Sequence, residues 1–190
     1  DVRNLKERYP NIPVACYINT TAEVKAECDV CVTSSNYLTI CEKLPGEKLI
    51  FVPDKFMGKH LQKSLEGKKE VIVYDGECEV HAVFTGEKIR SWRERMNQQG
   101  IELTVLSHPE CDIDVLEESD IVGSSEALIK NALQLSANGK KDIKTIDSSG
   151  TPPSGKIQIL KPCLNRRCAL KKTACRLLEL LLSTRIQVRL

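Results

Sequence analysis

The chain has 190 residues, 41% hydrophobic and 28% charged, enough to bury a core as one large domain or two small ones. Its net charge of +2 is uneven: from Lys156 onward nine Lys and Arg face one acid, Glu179, giving that tail +8 and the remainder −6. No apolar run approaches the roughly 20 residues of a membrane helix, no signal-peptide pattern opens the chain, and 4% aromatic residues give nucleic acid no stacking platform, so the basic tail reads as a solvated helix face.

The opening "DVRNLKERYP" has the pattern of a mid-stream amphipathic helix, so the chain is expected to begin inside a larger protein. After it, short runs rich in Val and Ile alternate with helical-period segments. "VACYI", "VCVTS", "KLIFV", "EVIVY", "LTVLS" and "DIVG" read as buried strands. "AEVKAEC", "YLTICEKL", "MGKHLQKSL", "GEKIRSWRERMNQQG" and "EALIKNALQL" read as helices, with His60 exposed midway along the third. "TTAE" has the spacing of a capping box, Thr20 with Glu23. "DSSGTPPSGK" reads as a flexible loop and the last residues as a basic helical tail. Strand–helix alternation predicts an α/β fold with parallel sheets and helices on their faces.

The chain also repeats itself. "EVKAECDVCVTSS" (Glu23–Ser35) aligns with "DVLEESDIVGSS" (Asp114–Ser125) apart from one residue. The polar cluster "YINTT" precedes the first copy and "SHPEC" the second. The expectation is two repeated small three-layer α/β units, residues 1–80 and 81–168, followed by the tail 169–190. The repeat also sorts the nine cysteines: Cys78 follows Ser34 by 44 residues, and 44 residues beyond Ser124 stands Cys168. Two thiolates in matching places can meet across a pseudosymmetry axis and share a metal cluster. Cys16, Cys28, Cys31 and Cys41 lie in apolar runs, where a free thiol is a small hydrophobe. An odd cysteine count inside strands favours a reducing cytoplasm over a secreted disulfide framework.

Every polar cluster lies where a strand ends, the edge on which ligands bind in parallel α/β folds. "TSSN" and "GSSE" are anion cradles or helix caps. His81 in "YDGECEVH", and His108 with Glu110 in "SHPE", offer proton transfer or hydrogen bonds to a substrate carbonyl, or are ordinary loop polarity. Cys78 in the same cluster as His81 stands as metal ligand, nucleophile or passenger.

"YINTTAEVKAECDVCVTSSN", "YDGECEVH", "SHPEC" and "DIVGSSEALI" occur in that order, and together they resemble quinolinate synthase over about residues 1–140. That resemblance implies three similar α/β domains about a pseudo-threefold axis, of which this chain matches the second and third. It implies a [4Fe–4S] cluster acting as a Lewis acid in the condensation of iminoaspartate with dihydroxyacetone phosphate to quinolinate, in de novo NAD biosynthesis. Carried onto this sequence, it implies substrate contacts from Tyr17, Asn19, Ser34, His108, Glu110, Ser124 and Ser125. Catalytic work falls to His81, Tyr17 and Glu110, and Cys78 and Cys168 become cluster ligands, with Cys163 the rival for the last. Iminoaspartate would come from an L-aspartate oxidase or dehydrogenase partner. The first domain is expected to be absent, which would leave two of three thiolates and an inactive chain. The contrasting reading is a non-catalytic α/β module that binds a phosphorylated metabolite or a metal.

Overall fold

Residues 1–77, 79–139 and 143–145 are described by a computed structural model of the chain. The first compact unit runs Asp1–Glu79 and the second begins at Val80.

The first unit holds α1 (Val2–Arg8), β1 (Val14–Tyr17), α2 (Ala22–Ala26), β2 (Val30–Val32), α3 (Tyr37–Lys43), β3 (Lys48–Val52), α4 (Lys55–Ser64) and β4 (Glu70–Val73). Its four strands are all parallel, in the order β2-β1-β3-β4. Side chains alternate across a strand, so β1 and β3 feed two separate cores. Ala15, Tyr17, Leu49 and Phe51 pack with Tyr37, Cys41, Met57 and Leu61 of α3 and α4. Val14, Cys16, Ile50 and Val52 pack on the other face with Val2, Leu5, Val24 and Cys28. Helices on both faces leave strands without a wet side, which is why they read as continuous apolar runs.

The second unit holds α5 (Glu79–Ala82), α6 (Gly86–Asn97), β5 (Thr104–Ser107), α7 (Ile113–Glu117), β6 (Ile121–Val122), α8 (Ser125–Ala137) and β7 (Ile143–Thr145). Its parallel strands lie in the order β6-β5-β7. Leu103 and Val105 join Ile89, Met96, Val115 and Leu116 on one face, while Leu106 joins Leu128 and Ala132 on the other. Both units are therefore three-layer α/β sandwiches, as the sequence pattern predicts.

The duplication extends to side-chain detail. Asp29 Oδ2 accepts the Val14 N–H at 2.7 Å while the Asp29 N–H donates to the Val14 carbonyl. Asp120 does the same with Val105, again with 2.7 Å to Oδ2. Each carboxylate is met by a cation from the helix before the strand, Lys6 at 3.2 Å and Arg93 at 2.7 Å. Each aspartate thus holds the inner strand near its amino end.

Two local expectations need correction. Thr21, not Thr20, caps α2, its Oγ1 accepting from the Val24 N–H at 3.4 Å; Thr20 bends back instead, its N–H on the Ile18 carbonyl. His60 is half-buried rather than exposed, with Nδ1 2.5 Å from the Tyr37 hydroxyl, because α4 lies against α3. Among the described residues no helix is long and apolar enough to cross a membrane.

Candidate active site

In the second unit the polypeptide leaves β5 at Ser107 and turns at once, the Cys111 N–H closing on the His108 carbonyl at 2.9 Å. Pro109 sits inside this turn and holds its own φ fixed. The turn folds the Glu110 side chain back on its neighbour, with Oε2 3.1 Å from His108 Nδ1. The backbone N–H of Glu110 lies 3.3 Å from that same nitrogen. Both side chains are almost wholly buried, at 1% and 2% exposure.

His81, on α5, is completely buried and faces this pair. Its ring lies within 20° of parallel to that of His108, with 6.5 Å between centroids. Burial pushes the His81 imidazole below its ordinary pKa, Glu110 pulls it partly back, and His108 lowers it again. The net direction keeps His81 neutral at neutral pH, so one of its ring nitrogens donates and the other accepts.

Three ring nitrogens in this group, His81 Nδ1, His81 Nε2 and His108 Nε2, are buried and meet no hydrogen-bond partner among the described residues. A buried polar atom left unpaired costs on the order of 1–3 kcal/mol, so native interiors rarely keep one without a function. Three together make this group a candidate for receiving polar atoms from a ligand or from ordered water.

The other second-unit residues lie on the same sheet edge. Ser107 is in register with Val122, and the Gly123 N–H donates to the Ser107 carbonyl at 3.1 Å. His108 and Ser124 therefore follow neighbouring strands at their carboxyl ends. Ser124 is the N-cap of α8, its Oγ accepting the Ala127 N–H at 3.3 Å, and Ser125 opens the helix. The capping reading thus holds for Ser124, whose hydroxyl hydrogen stays available to a ligand oxygen.

In the first unit Tyr17 ends β1, buried at 3%, and Asn19 follows in the loop, half-buried. Ser34 follows β2, next to Thr33, whose N–H donates to Asn36 Oδ1 at 2.7 Å. Asn36, not a serine, stands at the N-cap of α3, and it makes no side-chain capping bond. Tyr17 is in register with Val32, so Asn19 and Ser34 share one edge of this sheet.

The approach to Cys78 is pinned from below. Gly76 forms a parallel bridge with Asp54, and the Lys55 N–H donates to the Gly76 carbonyl at 2.6 Å. Lys55 Nζ is ion-paired with Glu77 and lies 3.7 Å from Asp75. A side chain at position 76 would strike the Pro53 carbonyl, so only glycine lets the strands run this close. Cys78, Cys163 and Cys168 lie outside the described residues. Among the described residues no group of three His, Cys, Asp or Glu is placed to hold a metal ion.

Sequence reasoning missed Asp114, whose Oδ2 accepts the Gly86 N–H at 2.8 Å and ties the start of α6, just beyond His81, to α7. Nothing local marks that aspartate; the contact joins residues 28 apart in the chain.

A family model described as quinolinate synthetase A protein matches residues 1–146. A quinolinate synthase of Clostridium novyi is 43% identical over 141 residues, covering 74% of this chain and 45% of that protein. One from Sinorhizobium fredii is 41% identical over 129 residues, covering 68% and 34%. One from Alkaliphilus metalliredigens is 39% identical over 140 residues, covering 72% and 45%. The chain thus spans between about a third and just under half the length of these curated relatives.

Proposed function

The chain belongs to the quinolinate synthetase A family, and from that premise we propose that it serves the transferase reaction in which iminoaspartate and dihydroxyacetone phosphate condense to quinolinate, with loss of phosphate and water, for NAD biosynthesis in the cytoplasm. The observation that carries the reading is the buried His81–His108–Glu110 group with its three unpartnered ring nitrogens.

In this reading Glu110 holds His108 through Nδ1 and leaves Nε2 as the working atom, which, with the ring hydrogen on Nδ1, accepts a hydrogen bond or a proton from a substrate hydroxyl or amino group. Neutral His81 exchanges a proton with the substrate, taking it at one nitrogen while the other stays protonated. Tyr17, Asn19 and Ser34 are proposed to bind substrate oxygens, and Tyr17 to take part in proton transfer. The Ser124 hydroxyl, with Ser125 at the helix start, holds a carboxylate or phosphate oxygen. Cys78 and Cys168 would hold part of a [4Fe–4S] cluster, which supplies Lewis-acid polarisation when bound. An L-aspartate oxidase or dehydrogenase supplies the iminoaspartate.

The test is anaerobic iron–sulfur reconstitution of the chain, read by absorption and Mössbauer spectra. The expected result is an iron signal lost in Cys78→Ser and in Cys168→Ser. Phosphate-ester binding without any iron signal would instead make this a non-catalytic binding module.

A further inference from the structure

Cys16 and Cys31 occupy partner positions on the parallel strands β1 and β2, and their Sγ atoms lie 3.2 Å apart. Neighbouring strands run about 4.8 Å apart, inside the 4.4–6.8 Å Cα separation that a disulfide spans. The two sulfurs need to close by little more than an ångström. Both are free thiols here, Cys16 fully buried in the core under α2 and Cys31 exposed. A third thiol, Cys28, sits in the same core with its Sγ–H on the Val24 carbonyl at 3.1 Å. The three do not form a metal-holding group among the described residues, and the Cys16–Cys31 sulfur separation suits oxidation to a disulfide.

We propose that Cys16 and Cys31 form a modification site, an oxidisable dithiol that takes a low-molecular-weight disulfide such as oxidised glutathione as its co-reactant. The exposed Cys31 thiolate attacks one sulfur of the oxidant, forming a mixed disulfide and releasing one glutathione. Cys16 Sγ, losing its proton to solvent, then attacks Cys31 Sγ, and the second glutathione leaves. Two thiols give up two electrons, one oxidant molecule becomes two thiols, and the two protons released are taken up by the two glutathione thiolates. Burial holds Cys16 well above the ordinary thiol pKa, so the exposed partner begins the exchange and the buried one completes it slowly.

Cys28 is the competitor, because Cys28-Asp-Val-Cys31 has the spacing of a redox pair. Geometry argues for Cys16 as the partner of Cys31, since the two stand directly across the ladder on the same sheet face, whereas the Cys28 thiol donates to its own helix carbonyl and also touches Cys16, which makes Cys16–Cys28 the rival pair inside the core. The new bond would fasten β1 to β2 just before Tyr17, Asn19 and Ser34. This inference rests on the first unit alone and does not depend on the function proposed above.

The test incubates the full chain with oxidised glutathione, blocks remaining thiols by alkylation, and maps cross-linked peptides with fragment-ion sequencing. The expected product is about 2 Da lighter, carries no glutathione, and joins Cys16 to Cys31. The cross-link should persist in Cys28→Ser and vanish in Cys31→Ser. A Cys28–Cys31 or Cys16–Cys28 cross-link, a stable glutathione adduct on Cys31, or full alkylation of both Cys16 and Cys31 would each overturn the proposal. Mapping of the wild-type chain decides the matter even where a variant fails to fold.

Discussion

His108 Nδ1 and Glu110 Oε2 are 3.1 Å apart, both buried, although only Pro109 separates the two residues in the chain. A carboxylate so placed fixes the ring's orientation and favours the tautomer with hydrogen on Nδ1. Glu110→Gln is therefore expected to redistribute the His108 tautomers. Long-range imidazole nitrogen–proton NMR spectra check this; an unchanged His108 signal would mean that the carboxylate does not set the tautomer.

His81 gives the opposite kind of prediction. Both its ring nitrogens are buried without a partner among the described residues. Replacing an unsatisfied polar group by an apolar one of similar size removes a penalty of about 1–3 kcal/mol. His81→Leu is expected to leave urea stability unchanged or raise it, while removing function. A clear loss of stability would show that the histidine is structural.

Stability should also depend on pH near neutrality. Burial holds both His81 and His60 below the ordinary imidazole pKa, helped by Lys63 at His60 and opposed by Glu110 at His81. As pH falls through about 6.5, the unfolded chain takes up protons before the folded one does. Stability therefore rises with pH across the window from the lowered folded values to the ordinary one, and flattens above it. Urea midpoints from pH 5 to 7.5 measure the slope, which His60→Gln and His81→Leu should each reduce.

The paired aspartates invite a matched experiment. Asp29→Ala and Asp120→Ala each remove a charged acceptor from a backbone N–H near the start of the inner strand, with an expected cost of about 1–2 kcal/mol. Asp29 lies in the first unit and Asp120 in the second, so the double variant should show the sum. Burial pushes the Asp29 carboxyl up, but the Val14 N–H and Lys6 outweigh it and hold the carboxyl below the usual range. Its contribution is present above the ordinary aspartate value and lost as pH falls through the lower folded one, which acid titration of wild type against Asp29→Ala should reveal.

Assayed by itself after anaerobic reconstitution, the chain is expected to form no quinolinate from iminoaspartate and dihydroxyacetone phosphate. The family resemblance calls for three cluster thiolates, this sequence matches two, and an iron held loosely polarises substrate poorly. Robust turnover by the purified chain would overturn this expectation.

The α/β class, the parallel sheets and the internal duplication are legible in the amino-acid sequence. Those features are written locally: Val- and Ile-rich runs alternate with helical periods, and the repeated "ECDVCVTSS" and "ESDIVGSS" carry the same aspartate to the same strand end. The candidate residues at strand ends were legible for the same reason, because a parallel sheet brings its carboxyl ends to one edge. Cap position was less so, since Thr20 and Thr21 are chemically alike and backbone geometry alone selects Thr21. Which polar groups are buried depends on how distant elements pack. His60 meets Tyr37 across two helices, His81 stacks beside His108 from 27 positions earlier in the chain, and Cys16 lies against Cys31 across two strands. Each depends on packing between elements distant in sequence, and burial turns an ordinary imidazole or thiol into one with a lowered or raised pKa and unmet hydrogen bonds.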